Sequence, residues 1–181
     1  MNFPEALTVK ISHDLAGGIG ALSSTADLME LDPSFAPEAP AMLKKNTQML
    51  MARLKFYRAL FGADTKSIDS SLVFDFLNTF GMPITFSGKI ATRLELSFVA
   101  LGIQIVAGGG DILYSNNTLI LKSNNLIIKE NIKNILSGRV LKSSAIETLE
   151  AEWLIRQLND KKMALKITSN PDFIKMEIYY P

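Results

Sequence analysis

The chain has one histidine, His13, and an acid follows it directly in the run Lys10-Ile11-Ser12-His13-Asp14-Leu15. Imidazole is the side chain best suited to carry a proton or a phosphoryl group near neutral pH. A neighbouring carboxylate can orient the ring or take its proton, which makes the ring more nucleophilic. Lys10, one helical turn earlier, can partly neutralise a phosphoryl group. We therefore predict His13 as a phosphoryl-accepting nucleophile supported by Asp14 and Lys10, the alternative being that Asp14 is a solvated helix residue.

The residues expected to share a helical face with His13 are mostly small. They are Val9, Ala16, Gly17, Gly20 and Ser24. Glycine inside a helix costs about 1 kcal/mol relative to alanine, so some benefit should offset it. For Gly17 and Gly20 we expect access of a second protein to the imidazole, and these small residues are the predicted docking surface. For Gly18, which lies on the apolar stripe of the helix, we expect close helix packing.

Composition excludes several other chemistries. The 181 residues contain no cysteine and a single histidine, which rules out disulfides, thiol catalysis and clusters of cysteine or histidine metal ligands. A net charge of +1 gives no indication of a nucleic-acid or acidic-lipid partner. The N-terminus lacks the pattern of a secretory signal, and no apolar run approaches the roughly 20 residues of a membrane span. We expect a soluble cytoplasmic protein with no metal or cofactor of its own.

The N-terminal third predicts two long helices. Apolar residues recur at spacings of three and four from about Pro4 to Leu31, and again from about Pro40 to Phe61, with Gly62 ending the second helix. A proline-rich segment separates them, so the two should form an antiparallel hairpin. The hairpin alone cannot bury so broad an apolar stripe. Dimerisation into a four-helix bundle would bury it, and the alternative is that the rest of the chain covers it.

The remainder alternates between helical and strand patterns. We predict helices from Asp69 or Ser70 to Phe80, Ile90 to Val106, Glu130 to Leu136 and Ser144 to Leu158. The predicted strands are 84–87, 112–114, 118–121, 164–168 and 173–179, with a turn at Asn116-Asn117, and 126–128 is either a strand or a loop covering the core. The fold class is therefore α+β: residues 1–66 form the hairpin, and residues 67–181 form an α/β sandwich with a mostly antiparallel sheet and helices on one face.

The segment Ile11-Ser12-His13-Asp14-Leu15 resembles the phospho-acceptor box of histidine-kinase dimerisation domains, in which His precedes Glu or Asp. It is more similar to that of alphaproteobacterial histidine phosphotransferases of the ChpT type, where the box opens the first helix of a hairpin. In that family the second helix ends in a segment similar to Leu54 to Ala63. The resemblance continues through Leu96 to Gly110 and through Trp153 to Tyr180, and so spans nearly the whole chain.

The resemblance implies a homodimer built on a four-helix bundle, with a C-terminal domain shaped like a kinase ATPase domain that no longer binds ATP. It also implies a relay. The receiver domain of a hybrid histidine kinase would donate phosphate to His13, which would pass it to an aspartate of a response regulator of the CtrA type. Magnesium is then expected on the receiver rather than on this chain.

The sequence agrees with the loss of ATP use. The predicted helix from Thr92 to Val106 has no asparagine to hold magnesium, and the chain has no Asp-x-Gly-x-Gly motif. Gly17 and Gly18 stand where kinases carry Thr or Asn and often Pro, a departure that fits a relay which must conserve phosphate. The alternatives are a fragment of a histidine kinase and a non-catalytic dimeric adaptor that docks receivers without accepting phosphate.

Overall fold

The computed structural model describes residues 1–62, 68–79, 83–124, 126–138 and 144–181. These residues form six α-helices and a five-stranded sheet, which confirms a mixed α+β fold with a helical N-terminus. The predicted boundary between residues 66 and 67 lies outside the described residues and stays a prediction. Phe80, where the third helix was expected to end, also lies outside the described residues.

The helical hairpin has the predicted extent to within one residue. Helix α1 spans Phe3–Leu31 and α2 spans Ala39–Phe61. The helices are antiparallel, because Gly18 lies against Leu50 whereas Thr25, further along α1, accepts a 3.5 Å hydrogen bond from Asn46, which is earlier in α2. No helix among the described residues is both long and apolar enough to cross a membrane.

The second part of the chain surrounds one mixed sheet. Its elements are α3 (Ser70–Leu77), β1 (Ile84–Gly88), α4 (Arg93–Ile105), β2 (Gly110–Ser115), β3 (Thr118–Lys122), α5 (Glu130–Leu136), α6 (Leu149–Asp160), β4 (Ala164–Ser169) and β5 (Phe173–Tyr179). The strand order is β1-β2-β3-β5-β4. Only β1 and β2 are parallel, joined by the α4 crossover, and the remaining pairs are antiparallel as predicted.

Two helices begin later than their apolar patterns suggest. The helix predicted from Ile90 starts at Arg93, because Thr92 caps it and the Glu95 side chain accepts from the Thr92 N–H at 2.8 Å. The helix predicted from Ser144 starts at Leu149 and is preceded by a 3-10 turn over Ile146–Thr148. Apolar periodicity does not distinguish such a turn from the helix that follows it.

Three further expectations concern a helix end, a loop and a turn. The third helix stops at Leu77, short of the predicted Phe80. Residues 126–128 form no strand, and Ile128 is buried in the core, so the loop alternative is correct. The turn at Asn116-Asn117 is confirmed: their φ angles of 49° and 60° are the left-handed values that a two-residue hairpin turn needs.

The hydrophobic core lies on one face of the sheet. Its strand residues alternate between buried and more exposed positions, and the buried ones are Phe86, Ile112, Tyr114, Leu119, Leu121, Ile174, Met176 and Ile178. Helix α4 packs closely on this face, because a Cβ on Gly102 would lie 2.9 Å from the Leu119 side chain. This is the predicted arrangement of helices on one side of the sheet.

This core also covers one end of the hairpin. Phe56, Tyr57 and Leu60 of α2 are buried in it. Phe3 and Ala6 of α1 pack with buried Leu149 in a second small cluster. Further along the hairpin, the stripe is only half-buried, as at Leu15, Leu22, Leu43 and Leu50. The chain itself therefore covers part of the apolar stripe and leaves the rest accessible.

We expect Ile112→Ala to lower the free energy of unfolding by about 2–5 kcal/mol, since Ile112 is 0% exposed and its truncation leaves a cavity under α4. Ile127→Ala is the matched control, because Ile127 is 73% exposed and should change stability by less than about 0.5 kcal/mol. Urea denaturation of both variants measures the difference. Equal effects of the two substitutions would contradict the placement of the core.

Candidate functional site

His13 lies near the middle of α1 and points into solvent, with 85% of its side chain exposed. The predicted docking residues are also exposed: Val9, Ala16, Gly17, Gly20 and Ser24. A Cβ added to Gly17 or Gly20 would meet no atom within 4 Å, so the space over both is open. At Gly18, in contrast, a Cβ would lie 2.6 Å from Leu50 Cδ1. Gly18 therefore serves helix packing, and the open space lies at Gly17 and Gly20.

Asp14 holds one edge of the imidazole. Its Oδ1 lies 3.3 Å from His13 Nδ1. An ionised carboxylate only accepts hydrogen bonds, so the hydrogen between the two atoms belongs to Nδ1. In the neutral ring this leaves the Nε2 lone pair free. The pair thus presents an exposed ring nitrogen that can act as a nucleophile.

The other oxygen of Asp14 is bound by a residue that the sequence did not assign to the site. The Tyr57 hydroxyl of α2 donates a short hydrogen bond to Asp14 Oδ2. Tyr57 is only 5% exposed, and burial together with the Asp14 carboxylate raises the pKa of its phenol well above the usual range. The hydroxyl therefore keeps its proton at physiological pH and remains a donor.

Lys10 faces the second part of the chain. Its Nζ lies 3.5 Å from Oε1 of Glu150, at the start of α6, and 6.0 Å from the centre of the Tyr57 ring. Only 19% of the Lys10 side chain and 9% of the Glu150 side chain are exposed. The expected support of a phosphoryl group by Lys10 stays a prediction, and here the ammonium group is engaged by a buried acid.

Glu150 is a buried acid with an incomplete set of partners. It lines a cleft of about 260 Å³ together with Lys10, Asp14, Tyr57 and Gln104. Within the described part of the chain, Glu150 Oε2 and Gln104 Oε1 are buried without a hydrogen-bond partner. Burial raises the pKa of Glu150, and the Lys10 ammonium opposes that shift. The carboxylate thus carries a desolvation penalty that one ion pair only partly offsets.

His13, Asp14 and Tyr57 form one hydrogen-bonded group from α1 and α2. The Lys10–Glu150 pair adjoins it, because the Lys10 ammonium lies over the Tyr57 ring. In the sequence Tyr57 belongs to the apolar stripe of α2 and Glu150 to no motif. The one available indication was that a tyrosine on a buried stripe needs a partner for its hydroxyl. Within the described residues, no three His, Asp or Glu side chains converge as metal ligands.

No protein-family model matches this chain, and comparison with curated proteins gives no match. Its fold is similar to that of a solved structure, determined at 1.7 Å, of a protein described as a bacterial phosphotransferase. The TM-score is 0.79 at 18% sequence identity, and the match covers 98% of this chain and 95% of that one. The likeness establishes a shared fold over essentially the full length of both chains.

We expect Glu150 to make stability depend on pH. Burial raises its folded-state pKa, so its ionisation penalises the folded state, and this penalty grows as the pH rises above about 4.5. The free energy of unfolding of the wild type relative to Glu150→Gln should therefore fall from acid to neutral pH. Urea denaturation across this range measures it.

The matched control for this pH series is Glu130→Gln, because the Glu130 side chain is 76% exposed. An exposed carboxylate carries no burial penalty, so Glu130→Gln should not reproduce the fall seen with Glu150. A Glu150→Gln difference that is flat, or that rises with pH, would show that Glu150 carries no burial penalty.

Proposed function

We propose that the protein is a phosphorelay histidine phosphotransferase. In this proposal His13 accepts a phosphoryl group from an aspartate in the receiver domain of a hybrid kinase, then passes it to an aspartate of a response regulator. The observation that carries the proposal is an exposed imidazole whose Nδ1 is held by Asp14, which leaves Nε2 open to a partner. The fold shared with a bacterial phosphotransferase supports phosphoryl transfer as the general chemistry.

Transfer of the phosphoryl group to His13 requires no proton to leave the imidazole ring. The Nε2 lone pair of neutral His13 attacks phosphorus, the N–P bond forms, and the P–O bond to the receiver aspartate breaks. The electron pair of that bond leaves on the receiver carboxylate. The ring retains its Nδ1 hydrogen and becomes a phosphorylated imidazolium. Asp14 Oδ1, which lies 3.3 Å from Nδ1, stabilises the positive charge of this imidazolium. Transfer to the response regulator is the same step in reverse.

The surface around His13 supports docking of a globular partner. It consists of small exposed residues, and the positions over Gly17 and Gly20 are open. Small side chains let the partner's aspartyl phosphate approach the ring closely, in the geometry that transfer needs. Magnesium belongs to the receiver in this proposal, where it balances charge on the phosphoryl oxygens.

A labelled, phosphorylated receiver domain from a hybrid kinase tests the proposal. We expect the wild type to acquire an acid-labile label and His13→Ala to acquire none, because that variant has no acceptor nitrogen. Asp14→Asn should slow transfer by about 10-fold or more, since it removes the charged partner of Nδ1. Asp27→Asn changes an exposed acid on the same helix and should transfer at the wild-type rate. Rates come from rapid-quench sampling of both proteins.

Other outcomes of this assay would overturn the proposal. Label reaching His13→Ala as readily as the wild type would exclude His13 as the acceptor. A wild type that binds the receiver but takes no label would be an adaptor. Label acquired from ATP and magnesium without a receiver would identify a histidine kinase fragment.

We further propose that the chain is a homodimer through the accessible apolar stripe of the hairpin. Leu15, Leu22, Leu43 and Leu50 are half-buried in the single chain, and Ile19 is 58% exposed. Pairing two hairpins into a four-helix bundle would remove these side chains from water. The His13 side chain remains outside such a bundle, because the turn of the helix places it on the opposite side of α1 from Leu15 and Leu22.

Leu22→Glu should convert a dimer into a monomer, because the bundle would have to bury an unpaired carboxylate. Ser24→Glu adds the same charge on the exposed side of the helix that carries His13 and should leave the dimer intact. Sedimentation velocity at micromolar concentration measures both. A monomeric wild type, or dissociation by Ser24→Glu alone, would contradict this interface.

A further inference from the structure

The hydroxyl of Tyr57 and the ring of His13 bind opposite oxygens of the same carboxylate. Tyr57 donates to Asp14 Oδ2, and Asp14 Oδ1 lies 3.3 Å from His13 Nδ1. A carboxylate held at one oxygen has little freedom to rotate away from its second partner. The hydroxyl of Tyr57 thus limits where Asp14 can hold the imidazole.

The position of Tyr57 is itself fixed by packing. Its ring is 5% exposed and lies edge-on to Phe56 and Phe76, with centroids at 6.2 and 5.9 Å. It also stacks on Phe61 with centroids 6.3 Å apart. Three of these four rings come from α2, and Phe76 comes from α3 in the second part of the chain. The hydroxyl is therefore positioned by the core that joins the hairpin to the sheet.

We propose that Tyr57 is a positioning residue for the phosphoryl acceptor. It holds the Asp14 carboxylate in the orientation that keeps the hydrogen of neutral His13 on Nδ1 and leaves the Nε2 lone pair for the incoming phosphoryl group. This inference rests on the proposed phosphotransfer function. It distinguishes between the two roles that Asp14 could have, which are to orient the ring or to take its proton.

The selected role of Asp14 is orientation and charge stabilisation rather than proton removal. Both oxygens of Asp14 are already engaged, Oδ2 by the Tyr57 hydroxyl and Oδ1 by His13 Nδ1. The transfer step needs no proton acceptor, since the Nδ1 hydrogen is retained as the N–P bond forms and the P–O bond breaks. Tyr57 and Asp14 together therefore stabilise the imidazolium that transfer creates, in the same way that a buried acid supports the histidine of a hydrolase.

The substitution that isolates the hydroxyl is Tyr57→Phe, which retains the ring and its packing. Tyr114→Phe is a matched control. Tyr114 is also 5% exposed and also donates to a carboxylate, Glu95 Oε1 at 3.0 Å, in a part of the fold away from His13. Thermal unfolding establishes that both variants are folded, and the two should lose similar stability.

The direct readout is the tautomer of His13, measured by ¹⁵N NMR at a pH where the ring is neutral. The chain has a single histidine, so the spectrum contains one imidazole. We expect the Nδ1–H tautomer in the wild type and in Tyr114→Phe. In Tyr57→Phe the population should move toward Nε2–H, the tautomer that histidine favours in water, which blocks the nucleophilic nitrogen.

The second readout is the rate of transfer from a phosphorylated receiver. Tyr57→Phe should lower the maximal rate by about 10-fold with little change in the receiver concentration that gives half that rate, because the buried hydroxyl touches no docking residue. Tyr114→Phe should match the wild type.

Three results would overturn the inference: a wild-type ring in the Nε2–H form, an unchanged tautomer in Tyr57→Phe, or equal slowing by Tyr114→Phe. The tautomer measurement needs no receiver. It therefore decides the role of Tyr57 even if His13 proves to accept no phosphate, and the two proposals fail separately.

Discussion

The last turns of α2 are buried by both parts of the chain, and this shared burial governs the site. Phe56, Tyr57 and Leu60 leave water together with residues of α3 and α4, which ties the hairpin to the sheet. A buried phenol must find an acceptor, because an unsatisfied hydroxyl costs about 1–3 kcal/mol. The acceptor is Asp14 of α1, the residue beside His13. The need to satisfy one buried hydroxyl thus limits the orientation of the acid that contacts the His13 ring.

A second link between the two parts of the chain is electrostatic. Lys10 of α1 reaches Glu150 of α6, and both side chains are largely removed from water. Such a pair adds little net stability, because desolvation cancels much of the attraction. Removing one partner would leave the other charge buried and unpaired. The Lys10–Glu150 pair therefore adds a charged contact to the apolar one that Phe3 and Ala6 of α1 make with Leu149 of α6.

The surfaces of α1 are suited to different contacts. Around His13 the residues are small and exposed, and the space over Gly17 and Gly20 is open. Gly18, between them, instead admits Leu50 of the neighbouring helix. Glycines one residue apart thus serve opposite purposes, since successive residues of a helix point about 100° apart. An arrangement of this kind lets the hairpin pack closely while the His13 ring remains accessible.

The sequence alone predicted most of the helices and strands and singled out His13 as the candidate acceptor. Apolar periodicity predicted both hairpin helices, and Asn116-Asn117 predicted the turn between β2 and β3. Both kinds of element depend on residues that are close in the sequence. Two helices start later than predicted: α4 at Arg93, because Thr92 caps it, and α6 at Leu149, because a 3-10 turn precedes it. Apolar spacing does not encode either feature. Only the tertiary structure decided that Tyr57 and Glu150 belong to the site. Tyr57 lies 43 residues from Asp14, and what joins them is the burial of a hydroxyl between helices, a requirement that no local pattern expresses.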